Sequence, residues 1–120
     1  MKKIIINQEG IELEVKPIDC PALRAIDRVL PVTSRVEVWG DEIYFDINVA
    51  APAEGATIDV NVGDVAYWPE SRCLCLFFGK TPMSVTNKPV PAGEVVIVGK
   101  TALNPESLRK VGPGSRIMVC

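Results

Sequence analysis

Histidine is the residue whose absence says most about this chain. None of its 120 residues is histidine, so a serine or cysteine nucleophile would have no imidazole to activate it. A zinc site would also lack its usual nitrogen ligand. The sequence therefore excludes hydrolases and transferases that depend on a Ser-His or Cys-His pair.

Long apolar runs and an excess of positive charge are missing as well. No run approaches the roughly 18–20 apolar residues of a transmembrane helix, and the three isoleucines at 4–6 are too few for the apolar core of a signal peptide. The net charge is −2, whereas nucleic-acid-binding proteins normally carry a basic patch. These features predict a cytoplasmic protein that binds neither nucleic acid nor membrane.

The four cysteines include no Cys-x-x-Cys pair. Cys73 and Cys75 would lie on the same face of one strand, about 6–7 Å apart along it, and this spacing disfavours a mutual disulfide. Free cysteine is commonly buried as a small apolar side chain. We therefore predict reduced structural thiols, and nothing in the sequence predicts a metal or another cofactor.

The densest apolar and aromatic stretch runs from Gly63 to Pro82. It predicts a hairpin in which Val65 and Tyr67 point to one face and Trp68 to the other, because strand side chains alternate. The unbroken apolar run at 73–78 is typical of a strand covered on both faces. This hairpin is the expected centre of a barrel or sandwich.

Alternating patterns predict further strands on both sides of that hairpin. The predicted ranges are 3–7, 11–16, 33–39, 42–47, 95–101 and 116–119, with a short strand at 58–62. Ile43 and Phe45 are the expected core-facing residues of the 42–47 strand. Asp19 is the expected N-cap of a short helix that Pro31 ends, and Asn104 is the expected cap of a second one. The sequence predicts one mainly β domain over residues 1–120, a closed or nearly closed barrel of about eight strands with one or two short helices.

Three motifs carry a family resemblance: WGDEIYF at 39–45, GDVAYWPESRCLCLFFGKTPMS at 63–84 and VIVGK at 96–100. In this order and spacing they resemble small bacterial and archaeal cyclophilin-like proteins over nearly the whole chain. The resemblance implies an eight-stranded cyclophilin-type β-barrel with short helices at its ends. It implies no particular activity, because one fold hosts many functions.

Aromatic and polar residues within or near these motifs predict a binding groove. Tyrosine and tryptophan suit such a groove because each combines apolar area with a polar tip, and a few polar groups would orient the ligand. The predicted ligand is a small molecule or a short peptide segment. The predicted binding residues are Arg35, Trp39, Glu42, Tyr44, Tyr67, Trp68, Phe78 and Thr81.

Two alternative functions stay open from the sequence. One is an enzyme, either an isomerase of peptidyl-prolyl bonds that uses Arg35 without histidine, or a carboxylate-dependent activity based on Glu42 with Asp46 or Asp64. The missing histidine and the missing Phe-His-Arg signature of cyclophilins argue against the isomerase, and no catalytic residue is assigned. The other is a homodimeric interaction module that uses an exposed strand edge.

Overall fold

The computed structural model describes residues 1–120 and contains nine strands and two short α-helices. The strands are β1 (Lys3–Ile6), β2 (Ile11–Pro17), β3 (Val32–Arg35), β4 (Glu37–Val38), β5 (Glu42–Asp46), β6 (Asp64–Trp68), β7 (Cys73–Phe77), β8 (Val96–Thr101) and β9 (Arg116–Val119). The helices are α1 (Pro21–Asp27) and α2 (Pro105–Leu108). The prediction of a mainly β barrel is confirmed, with one strand more than expected.

All nine strands belong to one antiparallel sheet in the order β3-β9-β1-β2-β8-β6-β7-β5-β4. The edge strands β3 and β4 are consecutive in the chain and are separated only by Val36. Val36 is fully buried, and its backbone exchanges hydrogen bonds with Ser115 (2.9 Å) and Gly114 (2.7 Å). One short segment therefore supplies both edges, so the sheet curls into a nearly closed barrel.

The alternation of side chains divides the apolar residues between two layers. Ile43, Phe45, Val65 and Tyr67 belong to the large cluster inside the barrel, as their strand positions predict. A smaller cluster covers the outer face of the same strands and consists of Val60, Ala66, Cys75, Phe77 and Val95. Every residue of β7 is consequently buried, which confirms the expectation of a strand covered on both faces.

The two helices begin differently from one another. Asn104 caps α2 as predicted, since its Oδ1 accepts a hydrogen bond from the Glu106 backbone N at 3.0 Å. The prediction for α1 is wrong at both ends: Cys20 is the N-cap and makes no side-chain capping bond, and the helix ends at Asp27, four residues before Pro31. Asp19 instead accepts a hydrogen bond from Arg24 Nε at 3.0 Å. Neither helix is long and apolar enough to cross a membrane.

Two strand predictions require correction. The 33–39 segment is divided into β3 and β4 because β3 pairs with β9 and β4 pairs with β5. The predicted strand at 58–62 is absent, and only Thr57 forms a bridge, with Val95. Short side chains bind backbone amides there instead: Thr57 Oγ1 accepts from Asp59 N at 2.9 Å and Asp64 Oδ2 from Asn61 N at 2.7 Å. Such local bonds compete with a ladder.

The Tyr67 hydroxyl ties the loop after β5 to the barrel. It donates a hydrogen bond to Val49 O at 2.5 Å and accepts one from Ala51 N at 3.1 Å. We expect Tyr67→Phe to lower the free energy of unfolding by about 1–2 kcal/mol, because two backbone groups lose their partner. Urea denaturation measures this change.

Tyr44→Phe is the matched control for that experiment. No hydrogen bond joins the Tyr44 hydroxyl to the protein, so this variant should stay within about 0.5 kcal/mol of wild type. Equal losses in the two variants would show that the hydroxyl of Tyr67 does not stabilise the loop.

Candidate functional site

A cavity of about 170 Å³ lies on the outer face of the sheet, beside the smaller apolar cluster. Its lining side chains are those of Trp39, Glu42, Tyr44, Trp68 and Ala92. Three of these five are aromatic and one is a carboxylic acid. The chain therefore builds an aromatic cavity around a single acidic group.

Strand alternation places two of the lining residues. Glu42 and Tyr44 are two positions apart on β5, and both point away from the barrel interior because Ile43 and Phe45 point into it. Tyr44 is paired with Cys75 of β7 in the ladder, and Glu42 is paired with Phe77. These neighbours belong to the outer cluster, so the strand residues beside Glu42 are apolar and buried.

A tight turn brings Trp39 next to Glu42. The two residues exchange backbone hydrogen bonds of 2.9 and 3.2 Å across Gly40 and Asp41. Gly40 has a φ of 61°, and a Cβ there would lie 2.8 Å from the Lys80 carbonyl oxygen. Glycine is required because the left-handed conformation and the close approach both exclude a side chain.

The opposite wall is formed by Trp68 and the covering loop, which we define as residues 80–95. The rings of Tyr44 and Trp68 meet edge to face, with centroids 6.2 Å apart and an angle of 77° between their planes, a favoured aromatic geometry. Gly93 lies so close that a Cβ would approach Trp68 Nε1 to 3.1 Å. The covering loop therefore packs against the Nε1 edge of the Trp68 indole.

Internal hydrogen bonds hold the covering loop in place. Thr81 Oγ1 donates to Val90 O at 2.5 Å, and its backbone N donates to Ser84 Oγ at 3.0 Å. Lys88 Nζ lies 2.7 Å from Asp59 Oδ1, which joins the covering loop to the 57–62 segment. Several contacts, rather than one, therefore hold the covering loop that forms this wall of the cavity.

The Glu42 carboxyl group is the most unusual feature of the cavity. Its residue is only 3% exposed, and its Oε1 atom is buried without a hydrogen-bond partner. Burial raises the pKa of Glu42 to about 7, although a hydrogen bond from the Cys75 thiol acts in the opposite direction. A carboxyl group in this state changes charge close to neutral pH.

Cys75 supports the site without offering a nucleophile. Its residue is 1% exposed, and burial together with the charge of Glu42 raises the pKa of the thiol well above its usual range. A reactive cysteine needs a lowered pKa and access to solvent. Cys75 is therefore a buried residue of the outer cluster that contacts Glu42, and all four cysteines are free thiols.

The structure brings together four of the eight residues predicted to bind a ligand: Trp39, Glu42, Tyr44 and Trp68. Arg35 lies at the end of β3, where its Nη1 donates to Gly114 O at 2.9 Å. Tyr67 and Phe78 are buried in the barrel core, and Thr81 is bound within the covering loop. These four do not line the cavity.

Sequence reasoning missed Ala92 as a lining residue and Cys75 as the neighbour of Glu42. Ala92 lies in a stretch without periodicity, and nothing in the sequence shows where the covering loop crosses the sheet. The Cys75 position could have been found, because a strand paired with β5 must place one residue opposite Tyr44.

The other two predicted carboxylates lie away from Glu42. Asp46 shares its face of β5 but is four residues further on, roughly 13 Å along the strand, and is exposed. Asp64 lines a separate cleft of about 400 Å³ with Lys16 and Lys100. There its carboxylate accepts hydrogen bonds from Lys100 Nζ at 3.0 Å and Asn61 N at 2.7 Å. The acid of the larger cleft therefore has a charged partner, whereas the acid of the smaller cavity keeps one buried oxygen atom without a partner.

The pH dependence of folding tests the state of Glu42. Between pH 4.5 and 7 the folded protein keeps the Glu42 proton that the unfolded chain loses, so stability falls as pH rises through this window. Glutamine cannot ionise. We therefore compare the free energy of unfolding of Glu42→Gln with that of wild type at about pH 4.5 and about pH 8, using urea denaturation. The difference in favour of the variant should be larger at the higher pH by up to about 3 kcal/mol.

Glu37→Gln is the control, because it removes an exposed carboxylate from the adjacent strand β4. This variant should keep the wild-type pH dependence. If the difference in free energy of unfolding between wild type and Glu42→Gln stayed constant across the pH range, Glu42 would ionise as an ordinary surface carboxylate.

Comparison with known proteins identifies the family to which this fold belongs. A model of the family described as Cyclophilin-like matches residues 2–120. The chain is also similar to the solution structure of the hypothetical protein AF2241 from Archaeoglobus fulgidus, with 36% identity, a TM-score of 0.76, and coverage of 97% of this chain and 89% of that one. No curated protein is significantly similar. The resemblance drawn from the three motifs is confirmed, and the chain belongs to the cyclophilin-like family.

Proposed function

We propose that this protein binds a small molecule, or one side chain of a short peptide segment, in the cavity lined by Trp39, Glu42, Tyr44, Trp68 and Ala92. The observation that carries the proposal is the buried Oε1 atom of Glu42, which has no partner in the protein. An unpaired buried polar atom costs stability. A ligand that donates a hydrogen bond to it would recover that loss.

The size of the cavity limits what it can hold. Pockets for drug-sized ligands typically measure about 300–1,000 Å³, and this cavity measures about 170 Å³. A compact molecule or a single side chain fits that volume, whereas a folded peptide does not. Three aromatic walls would supply apolar contact, and Glu42 would orient the polar end of the ligand.

Acid–base catalysis is the second candidate, and a specific observation favours it. A pKa of about 7 for Glu42 is suited to a general acid or base at neutral pH. Among the lining residues only Glu42 and Tyr44 can titrate, and burial raises the pKa of the Tyr44 phenol further. Because no second base or nucleophile lines the cavity, binding is the better-supported function.

Intrinsic fluorescence offers a direct assay of the proposal. The chain has two tryptophans, and both line the cavity, so an occupant should change their emission. We expect native mass spectrometry of protein purified from its own source to show a stoichiometric small-molecule adduct. Adding the released molecule to ligand-free protein should then change the tryptophan emission in a saturable manner.

Two matched alanine variants localise the effect. Ala92→Leu narrows the cavity from the exposed covering loop and should abolish the fluorescence response. Ala102→Leu makes the same change at an exposed alanine in the larger cleft and should leave the response unchanged. Loss of binding in Ala102→Leu alone would move the site to the larger cleft, and a bare dimeric mass would favour the homodimer hypothesis instead.

A further inference from the structure

We infer that the ligand of this cavity is a small alkylammonium ion with at least one N–H group, held against the aromatic walls and donating a hydrogen bond to Glu42. The inference rests on the proposed function and specifies the chemical class of the ligand. It follows from three properties of the cavity: its aromatic lining, the sign of its charge and the kind of polar atom left unpaired.

The aromatic lining favours a cation over a neutral group of the same shape. Trp39, Tyr44 and Trp68 form three of the five lining residues. The face of an aromatic ring carries partial negative charge, and aromatic cages bind alkylated ammonium ions through it. The attraction is strongest where water is excluded, and Glu42 is 97% removed from solvent in the same cavity.

The cavity lining contains an acidic group and no basic one. No lysine or arginine lines it. The carboxylates that act on Tyr44 are Glu37 of β4 and Glu42 itself. The thiols of Cys73 and Cys75 are neutral near pH 7, because burial raises the pKa of each. Asp41, which precedes Glu42, is paired with Arg109 at 3.1 Å, and Lys88 of the covering loop is paired with Asp59 at 2.7 Å. A cation entering the cavity therefore meets the carboxyl group of Glu42 and no basic side chain in the lining.

Two polar atoms of the lining residues are buried without a partner: Glu42 Oε1, an acceptor, and Trp68 Nε1, a donor. Glu42 as a carboxylate needs a donor from the ligand, and the Trp68 N–H can bind an acceptor such as a hydroxyl oxygen. An ammonium N–H supplies both the donor and the positive charge, and charge-assisted bonds of this type are roughly twice as strong as neutral ones. A quaternary ammonium ion supplies the charge without the donor, so it should bind more weakly.

Two compounds of nearly equal shape test the inference. Protonated 2-(dimethylamino)ethanol carries the N–H and the charge, and 3-methyl-1-butanol replaces the nitrogen by carbon. We expect the ammonium ion to change tryptophan emission with at least about tenfold higher affinity than the alcohol. Because only ionised Glu42 offers a negative charge to the ammonium ion, the affinity of the ion should fall about 30-fold from pH 8 to about pH 5.5, given a pKa of about 7.

Variants separate the charge of Glu42 from the charge of the surface. Glu42→Gln should remove both the preference for the ammonium ion and its pH dependence, whereas Glu14→Gln, which removes an exposed carboxylate from the larger cleft, should retain both. Choline, which lacks the N–H, should bind less tightly than its dimethyl relative. If Glu42→Gln fails to fold, the comparison of the two isosteres and the pH series in wild type still decide the inference.

The outcomes distinguish this inference from the proposed function. Equal affinities for the ammonium ion and the alcohol would contradict the inference that the ligand is a cation, while the proposal that the cavity binds a ligand would stand. Absence of any response to the ammonium ion, with an anionic or neutral adduct found by native mass spectrometry, would do the same. A peptide containing dimethyl-lysine distinguishes two sources of the same chemistry. Tighter binding than the free ion identifies a modified protein as the source, equal binding identifies a free metabolite, and both results support the inference.

Discussion

The two-sided burial of β7 is the constraint on which the site depends. All five residues of Cys73–Phe77 are buried, with Leu74 and Leu76 inside the barrel and Cys75 and Phe77 in the outer cluster. A sheet with only one covered face would expose the outward positions of β5 to water. Here the outer apolar layer extends beneath Glu42, so a position that would ordinarily carry a solvated carboxylate is dry. Ala92 of the covering loop lines the same cavity as Glu42.

A desolvated carboxyl group opposes folding, and the chain contains structure that compensates for it. Burial of Glu42 disfavours its charged form, while the barrel buries a continuous cluster of 23 apolar residues. Natural proteins tend to tolerate such local conflicts at functional sites and offset them elsewhere. The contrast with Asp64 is informative, because that buried carboxylate has two hydrogen-bond donors. Both acids are equally buried, yet only Glu42 is left with an unpaired oxygen.

The sequence predicted what depends on local periodicity. Period-two alternation placed Ile43 and Phe45 in the core and put Glu42 and Tyr44 together on the opposite face, and it also separates Tyr67 from Trp68. The predicted groove nevertheless included both Tyr67 and Trp68, because the alternation of side chains was not applied to the whole motif. The position of Ala92 and the desolvation of Glu42 could not be predicted, because they depend on how residues 80–95 cross a sheet that is distant in sequence. The division of the predicted 33–39 strand was missed because Val36 separates one apparent strand into β3 and β4, which lie at opposite edges of the sheet.

Membership of the cyclophilin-like family fixes the barrel but not its chemistry, because function resides in a site that the fold only carries. The present site consists of an aromatic enclosure and one acid, in a chain without histidine. Barrel closure links these parts: the segment that supplies both sheet edges leads directly into the turn that presents Trp39 beside Glu42. The scaffold thus positions the aromatic wall through the same residues that close the sheet. Val36 is itself a fully buried member of the core cluster, so a substitution that loosened the closure there would disturb both the barrel core and the short hairpin that holds Trp39.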